Sequence, residues 1–152
     1  PSHPGTAMMH AERCSRGRGR LIPVRDTPPA ERPDAEYPLA LTTFRLHFQY
    51  GSGSMTRRAP LLERENPRGI LWIHPQDAAA RGIRAGTAVR IRSRRGAVET
   101  RAVVSDDVPP GTVAMPYHFA EACSNRLTSD AVDPISRMPE LKVCAVNVER
   151  LP

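Results

Sequence analysis

The chain has 152 residues, with 22 basic and 16 acidic side chains and a formal charge of +6; Lys142 is its one lysine. That length suits a single domain. No apolar run approaches the roughly 18 residues of a membrane helix, and residues 1–11 lack the apolar core of a signal peptide. Collagen period, heptad pattern and disulfide framework are likewise absent. What remains is a soluble, basic, proline-rich globular chain. With seven aromatic residues, its core is expected to come from Val, Ile, Leu and Ala. Cys14, Cys123 and Cys144 are odd in number and far apart. They read as reduced thiols of a cytoplasmic protein rather than zinc or iron–sulfur ligands.

Residues 1–36 hold six prolines and no clear periodicity. Proline fixes φ and removes a donor, so an extended arm or linker is expected there. The short run Arg16–Arg20 within it reads as a solvated linker or, more weakly, as an RNA contact. From residue 37 the pattern becomes that of a barrel domain, 37–152. Leu39, Leu41 and Thr43 alternate with Ala40 and Thr42, which predicts a first strand. A polar, glycine-rich loop follows over 49–56. Ile70–Ile73 predicts a second strand. It leads into a short helix with Pro75 at its first position, Asp77 near the positive end of its dipole, and Gly82 as its stop. A hairpin follows, with Val89 and Ile91 on one face and Arg90 and Arg92 on the other. Its turn, Arg94–Ala97, is expected to use a positive φ at Gly96. Ala97–Val104, Thr112–Met115 and Lys142–Val148 complete the strands. The fold class is mainly β, a compact barrel or sandwich with a few short helices.

Several residues admit two readings from sequence alone. Gly51-Ser52-Gly53-Ser54-Met55-Thr56 can form an anion-binding nest of backbone N–H groups with three hydroxyls added, or an ordinary loop. Asn125 can match a mixed donor–acceptor edge or simply bond its own turn. His118 reads as a packed histidine or a ligand contact, and Lys142 as a solvated cation or a phosphate contact. Arg90, Arg92 and Arg94 read as a solvated face protecting a sheet edge, or as a docking face for another domain. His74 is expected to cap the short helix. Glu63, Glu65, Asp106 and Asp107 read as surface charges and supply no catalytic pair.

Five blocks in order carry a resemblance. They are Tyr37-Pro38-Leu39-Ala40-Leu41-Thr42-Thr43, then Gly53-Ser54-Met55-Thr56-Arg57-Arg58, then Ile73-His74-Pro75-Gln76-Asp77-Ala78, then Ser93-Arg94-Arg95-Gly96. The fifth spans 108–146, with Met115-Pro116-Tyr117-His118-Phe119, Asn125-Arg126-Leu127-Thr128, Asp133-Pro134 and Pro139–Val146. Together they resemble the C-terminal molybdopterin-dinucleotide-binding domain of the molybdopterin oxidoreductase (DMSO reductase) family. The ending looks most like the catalytic subunit of formate dehydrogenases.

That resemblance implies a double-psi β-barrel. It also implies that the chain is a fragment, without the metal-ligating residue and iron–sulfur cysteines of such subunits, inactive alone and not needing the cofactor to fold. The cofactor implied is molybdopterin guanine dinucleotide, as a pair, with molybdenum or tungsten in the parent. Contacts are implied for Thr43, Arg45 and Gln49, for Gly51, Gly53, Ser54, Met55 and Thr56, and for His118, Asn125 and Lys142; no catalytic or metal-ligating residue is implied. Phe44, where relatives often have glycine, and Gln49-Tyr50-Gly51-Ser52-Gly53, where they often have His-Tyr-His-Thr-Gly, depart from the pattern. Partners are the other domains of the parent and electron-transfer subunits through it, with no membrane or nucleic acid. The same domain from a nitrate, polysulfide or arsenate reductase is an alternative. A small basic nucleic-acid-binding module is an alternative of another class; scarce stacking aromatics count against it.

Overall fold

The computed structural model describes residues 5, 7, 8, 10, 12, 14 and 16–152. The first part of the expected arm, with Pro1 and Pro4, lies outside the described residues. From 19 to 38 the chain has no regular element. Six strands then follow: β1 (Leu39–Phe44), β2 (Ile70–Ile73), β3 (Ala88–Arg92), β4 (Ala97–Val104), β5 (Thr112–Pro116) and β6 (Cys144–Arg150). Two short helices, α1 (Pro60–Glu65) and α2 (Pro75–Ala80), lie between them. Among the described residues no helix is long and apolar enough to cross a membrane.

The strands close into a barrel in the order β1-β5-β2-β4-β3-β6. The pairs β1/β5 and β2/β4 are parallel and the other four are antiparallel. Exchanging β1 with β4, β2 with β5 and β3 with β6 reproduces the same order and directions. The barrel is therefore two similar halves interleaved, the double-psi arrangement, although the sequence has no visible repeat.

Strand directions sort the connections between the two ends. β1 and β5 finish side by side at Phe44 and Pro116, and β6 starts beside them, with Cys144 opposite Leu41. The β3–β4 turn reaches the same end, because Arg92 pairs with Asn147. Connections 45–69, 93–96 and 117–143 thus share one end. Connections 74–87 and 105–111, each shorter than its counterpart 117–143 or 45–69, occupy the other. The half-to-half symmetry is broken mainly by enlarging one end.

Alternation drives the closure. In β1 Leu39, Leu41 and Thr43 point inward, and in β3 Val89 and Ile91 do. Each fully buried aliphatic side chain contributes roughly 1.5–3 kcal/mol. Leu71, Ile73, Val113, Met115 and Val146 fill the centre. The core does not rest on aliphatics alone: Phe119 is fully buried and, with Leu127, plugs the end that carries the long connections. β6 departs from clean alternation, with Cys144, Ala145 and Val146 all buried. It starts after Lys142, which belongs to the preceding connection.

Local signals account for the smaller elements. His74 caps α2, its Nδ1 accepting from the Gln76 N–H at 3.2 Å, and Pro75 opens the helix. Gly82, at φ +63°, follows its end. The β3–β4 turn is a correction: Gly96 is not among the positive-φ residues. It is small because a β-carbon there would lie 3.1 Å from the Arg126 carbonyl oxygen. The outer hairpin face is a ladder of ion pairs, Arg90 with Glu99 at 2.7 Å and Arg92 with Glu149 at 3.1 Å. These pairs are solvated and worth about 0–1 kcal/mol each.

Candidate functional site

The parallel pairing of β1 with β5 makes Arg45 and Tyr117 neighbours just beyond the strand ends. Arg45 Nε donates to Tyr117 Oη at 2.6 Å, and the guanidinium remains exposed. Thr43, the last inward residue of β1, donates its hydroxyl to the Leu141 carbonyl at 2.8 Å. Lys142 Nζ donates back to the Thr43 carbonyl at 2.5 Å. The two residues together tie β1 to the segment leading into β6.

The loop after β1 is organised by Thr56. Its hydroxyl donates to Gln49 Oε1 at 2.6 Å and accepts from the Tyr50 N–H at 3.2 Å. Gln49 is buried, and its Nε2 donates to Glu63 at 3.4 Å. Gln49 and Thr56 therefore brace the loop from inside, and their polar groups are already engaged. The expected nest is also partly closed. Gly51 and Gly53 have φ of +55° and +72°, as a nest needs, but the Gly53 N–H already donates to the Tyr50 carbonyl at 2.9 Å. Ser52 and Ser54 present their hydroxyls at the surface, 3.2 Å apart. Met55 is 70% exposed.

Sequence reading missed the central side chain of this end, Arg57. Its guanidinium bridges two carboxylates, Glu63 at 3.0 Å and Glu121 at 2.7 Å, and lies 4.8 Å above the Phe119 ring. It thereby staples the loop after β1 to the segment after β5. Hydrogen bonds that Arg57 donates to Glu121 and then to Glu63 raise the arginine's pKa, and Arg57 in turn lowers that of Glu121. Glu63, expected as a surface charge, is an internal acceptor. The one available signal was the position of Arg57 inside the block Gly53–Arg58.

His118 sits beside this staple. It is buried, 7% exposed, and its Nε2 has no hydrogen-bond partner. Burial lowers its pKa first, and the Arg57 charge lowers it further, against weaker opposing pulls from Glu63 and Glu121. At neutral pH the imidazole is therefore held neutral, with one ring nitrogen left without a hydrogen-bond partner. An orphaned buried polar atom costs about 1–3 kcal/mol. The other two such side-chain atoms among the described residues, Ser124 Oγ and Ser129 Oγ, lie on the same 117–143 connection.

His118 lines an open cleft of about 320 Å³ with Ser52, Gly53, Ser54, Arg57, Arg58, Glu63 and Ala120. Arg58 is exposed and forms no ion pair among the described residues. Asn125 stands on a 3-10 turn, Ser124–Arg126, at this same end, with its side chain exposed. Its carbonyl accepts from Thr128 Oγ1 at 3.3 Å. The surface thus offers cations, hydroxyls, an amide and a neutral imidazole, and its one lining carboxylate, Glu63, is already neutralised. That donor set fits a ligand with an anionic pyrophosphate and a polar heterocycle edge.

A double-psi barrel with one enlarged end, carrying polar groups from three connections, defines a nucleotide-cofactor-binding domain. The chain belongs to the molydopterin dinucleotide binding domain family, whose pattern it matches over residues 39–145. It is 42% identical over 152 residues to the F420-dependent formate dehydrogenase subunit alpha of Methanocaldococcus jannaschii. It is 44% identical over 153 residues to the F420-dependent formate dehydrogenase 2 subunit alpha of Methanococcus maripaludis. Each alignment covers 99% of this chain and 23% of the relative. In fold it is similar to acetylene hydratase from Pelobacter acetylenicus, with a TM-score of 0.67 and 18% identity over 76% of this chain and 18% of that one.

Proposed function

We propose that this chain is the cofactor-clamping domain of a formate dehydrogenase-type catalytic subunit. In this reading residues 1–36 lead in from the rest of the subunit and 37–152 form the clamp. The group held is a pair of molybdopterin guanine dinucleotides, whose metal, molybdenum or tungsten, supplies the two-electron chemistry that converts formate to carbon dioxide. The whole subunit works in the cytoplasm and passes electrons to partner subunits. The carrying observation is the convergence of connections 45–69, 93–96 and 117–143 on one end, where His118, its buried Nε2 unpartnered, is among the residues lining the cleft.

The residues divide the work. Arg45, Arg58, Lys142, Ser52 and Ser54 supply charge and donors to phosphate oxygens. His118 and Asn125 meet a heterocycle edge, His118 as a neutral donor or acceptor. Thr43, Gln49, Gly51, Gly53 and Thr56 set the loop's shape, and Met55 adds apolar cover. Exposed Phe48, Tyr50, Met55 and Leu61 suit a surface covered by the rest of the subunit.

Titration of the isotope-labelled chain with guanosine diphosphate tests this reading. The expected result is a set of chemical-shift changes confined to residues 45–58, His118, Asn125 and Lys142. Changes elsewhere on the barrel, or none at millimolar nucleotide, overturn it. Sequencing upstream of residue 1 for the metal ligand separates a formate dehydrogenase parent from a nitrate, polysulfide or arsenate reductase.

A further inference from the structure

We propose that Glu31 and Arg95 are positioning residues for the turn that carries Asn125, so that the segment before β1 is part of the scaffolding of the cofactor end. The proposal rests on the reading of Asn125 as a ligand contact. The Asn125 side chain is exposed, so its place is set through its backbone. Among the described residues, one side chain from another connection bonds that backbone. Arg95 Nη2 and Nε both donate to the Leu127 carbonyl, at 2.7 and 3.2 Å. Leu127 closes the turn, its N–H donating to the Ser124 carbonyl at 2.9 Å, and its side chain is fully buried. Gly96 lets the hairpin approach the Arg126 carbonyl without a gap.

Arg95 is itself fixed. Its Nη1 and Nη2 donate to both oxygens of Glu31, at 2.9 and 2.6 Å. Glu31 also accepts from Arg94 at 2.5 Å and from the Ala145 N–H of β6 at 3.2 Å. Arg94 holds Asp34 and lies 4.7 Å over the Tyr37 ring. One carboxylate of the incoming segment thus aligns a planar fork on which the turn hangs, a geometry that lysine cannot reproduce. Around Glu31 stand Arg94 and Arg95 from the hairpin, Cys144 and the Ala145 N–H from β6, and Asp34 from its own segment. Arg32 and Asp130 line the same hollow.

The test uses the full labelled chain. On acidification the amide signals of Ser124–Leu127 should shift in one step as Glu31 takes its proton, below the ordinary 4.5. Glu31→Gln should erase that step, while Asp34→Asn should keep it. Arg95→Lys should speed amide exchange at Leu127 about tenfold, the size expected for losing a charge-assisted hydrogen bond. Both Glu31→Gln and Arg95→Lys should weaken guanosine diphosphate binding, with little added loss from Asn125→Ala. A step that survives Glu31→Gln, or turn exchange unchanged in Arg95→Lys, overturns the proposal. If Arg95→Lys fails to fold, the isosteric Glu31→Gln decides alone. If the step behaves as expected but Asn125→Ala leaves nucleotide binding intact, the positioning by Glu31 and Arg95 stands and the reading of Asn125 falls.

Discussion

A β-carbon placed on Gly53 would lie 3.2 Å from Cδ2 of His118 and 3.1 Å from the Arg57 stem. The loop after β1 and the segment after β5 therefore approach closely at Gly53, and Gly53 and His118 both line the cleft. Gly53 also has φ +72°, which costs an L side chain about 1–2 kcal/mol. Gly53→Ala should lower stability by about that much in urea unfolding. It should also push the His118 ring out of place, visible as a shift of its imidazole protons.

The second close approach joins the same two connections nearer the barrel. A β-carbon on Gly69 would sit 2.5 Å from the β-carbon of Ala122. Gly69 leads directly into β2, which fixes its backbone. Gly69→Ala should destabilise by about 1–3 kcal/mol, the usual cost of overpacking. The double variant Gly69→Ala with Ala122→Gly should recover part of that loss in the same unfolding experiment.

Arg57 and His118 are coupled through charge. Removing the guanidinium in Arg57→Ala should raise the His118 pKa toward its ordinary 6.5, since burial then acts alone against Glu63 and Glu121. Proton NMR of the imidazole reads this directly. The stability consequence follows in sign. The depressed folded value means the unfolded chain binds the proton first, so stability falls as pH drops below about 6.5. His118→Gln should flatten that part of the profile.

Glu31 gives a separate acid limb. Burial pushes its carboxyl up, but hydrogen bonds from Arg95, the Ala145 N–H and Arg94, with the Arg95 charge, outweigh it and hold the value below 4.5. Its contribution is complete above 4.5 and is lost as pH falls through the depressed value. Glu31→Gln should remove this limb from the pH dependence of the unfolding midpoint and leave the His118 limb in place.

Gly96→Ala separates packing from backbone strain. With no positive φ to violate, the substitution should cost only what the 3.1 Å approach to the Arg126 carbonyl demands. About 1 kcal/mol is expected, within the usual range for a single substitution. Amide shifts should cluster at 124–127 and spare α2.

The strands were readable because each carries its own signal: alternation in Leu39–Thr43, β-branched pairs at Val89 and Ile91, and turn residues at 106–111. The α2 start was readable because His74, Pro75 and Asp77 act locally. The cleft was readable only in outline. Arg57 takes its role from Glu63 and from Glu121, far along the chain, and no local pattern marks that meeting. Gly96 looks like a turn glycine for its φ but is one for its packing, and its partner, the Arg126 carbonyl, lies thirty residues on. The interleaved halves left no repeat because the buried positions ask only for apolar volume, which many sequences satisfy.

Closure of the sheet carries one more consequence. Every strand has a neighbour on both sides, so the barrel offers no full-length edge strand for another chain to extend. Only short stretches, such as 97–99 of β4 and 148–150 of β6, are paired on one side alone. A larger structure built around it has chiefly side chains and the irregular backbone of its enlarged end to join through. The surface most open to change is therefore also the one on which partners and ligand must agree.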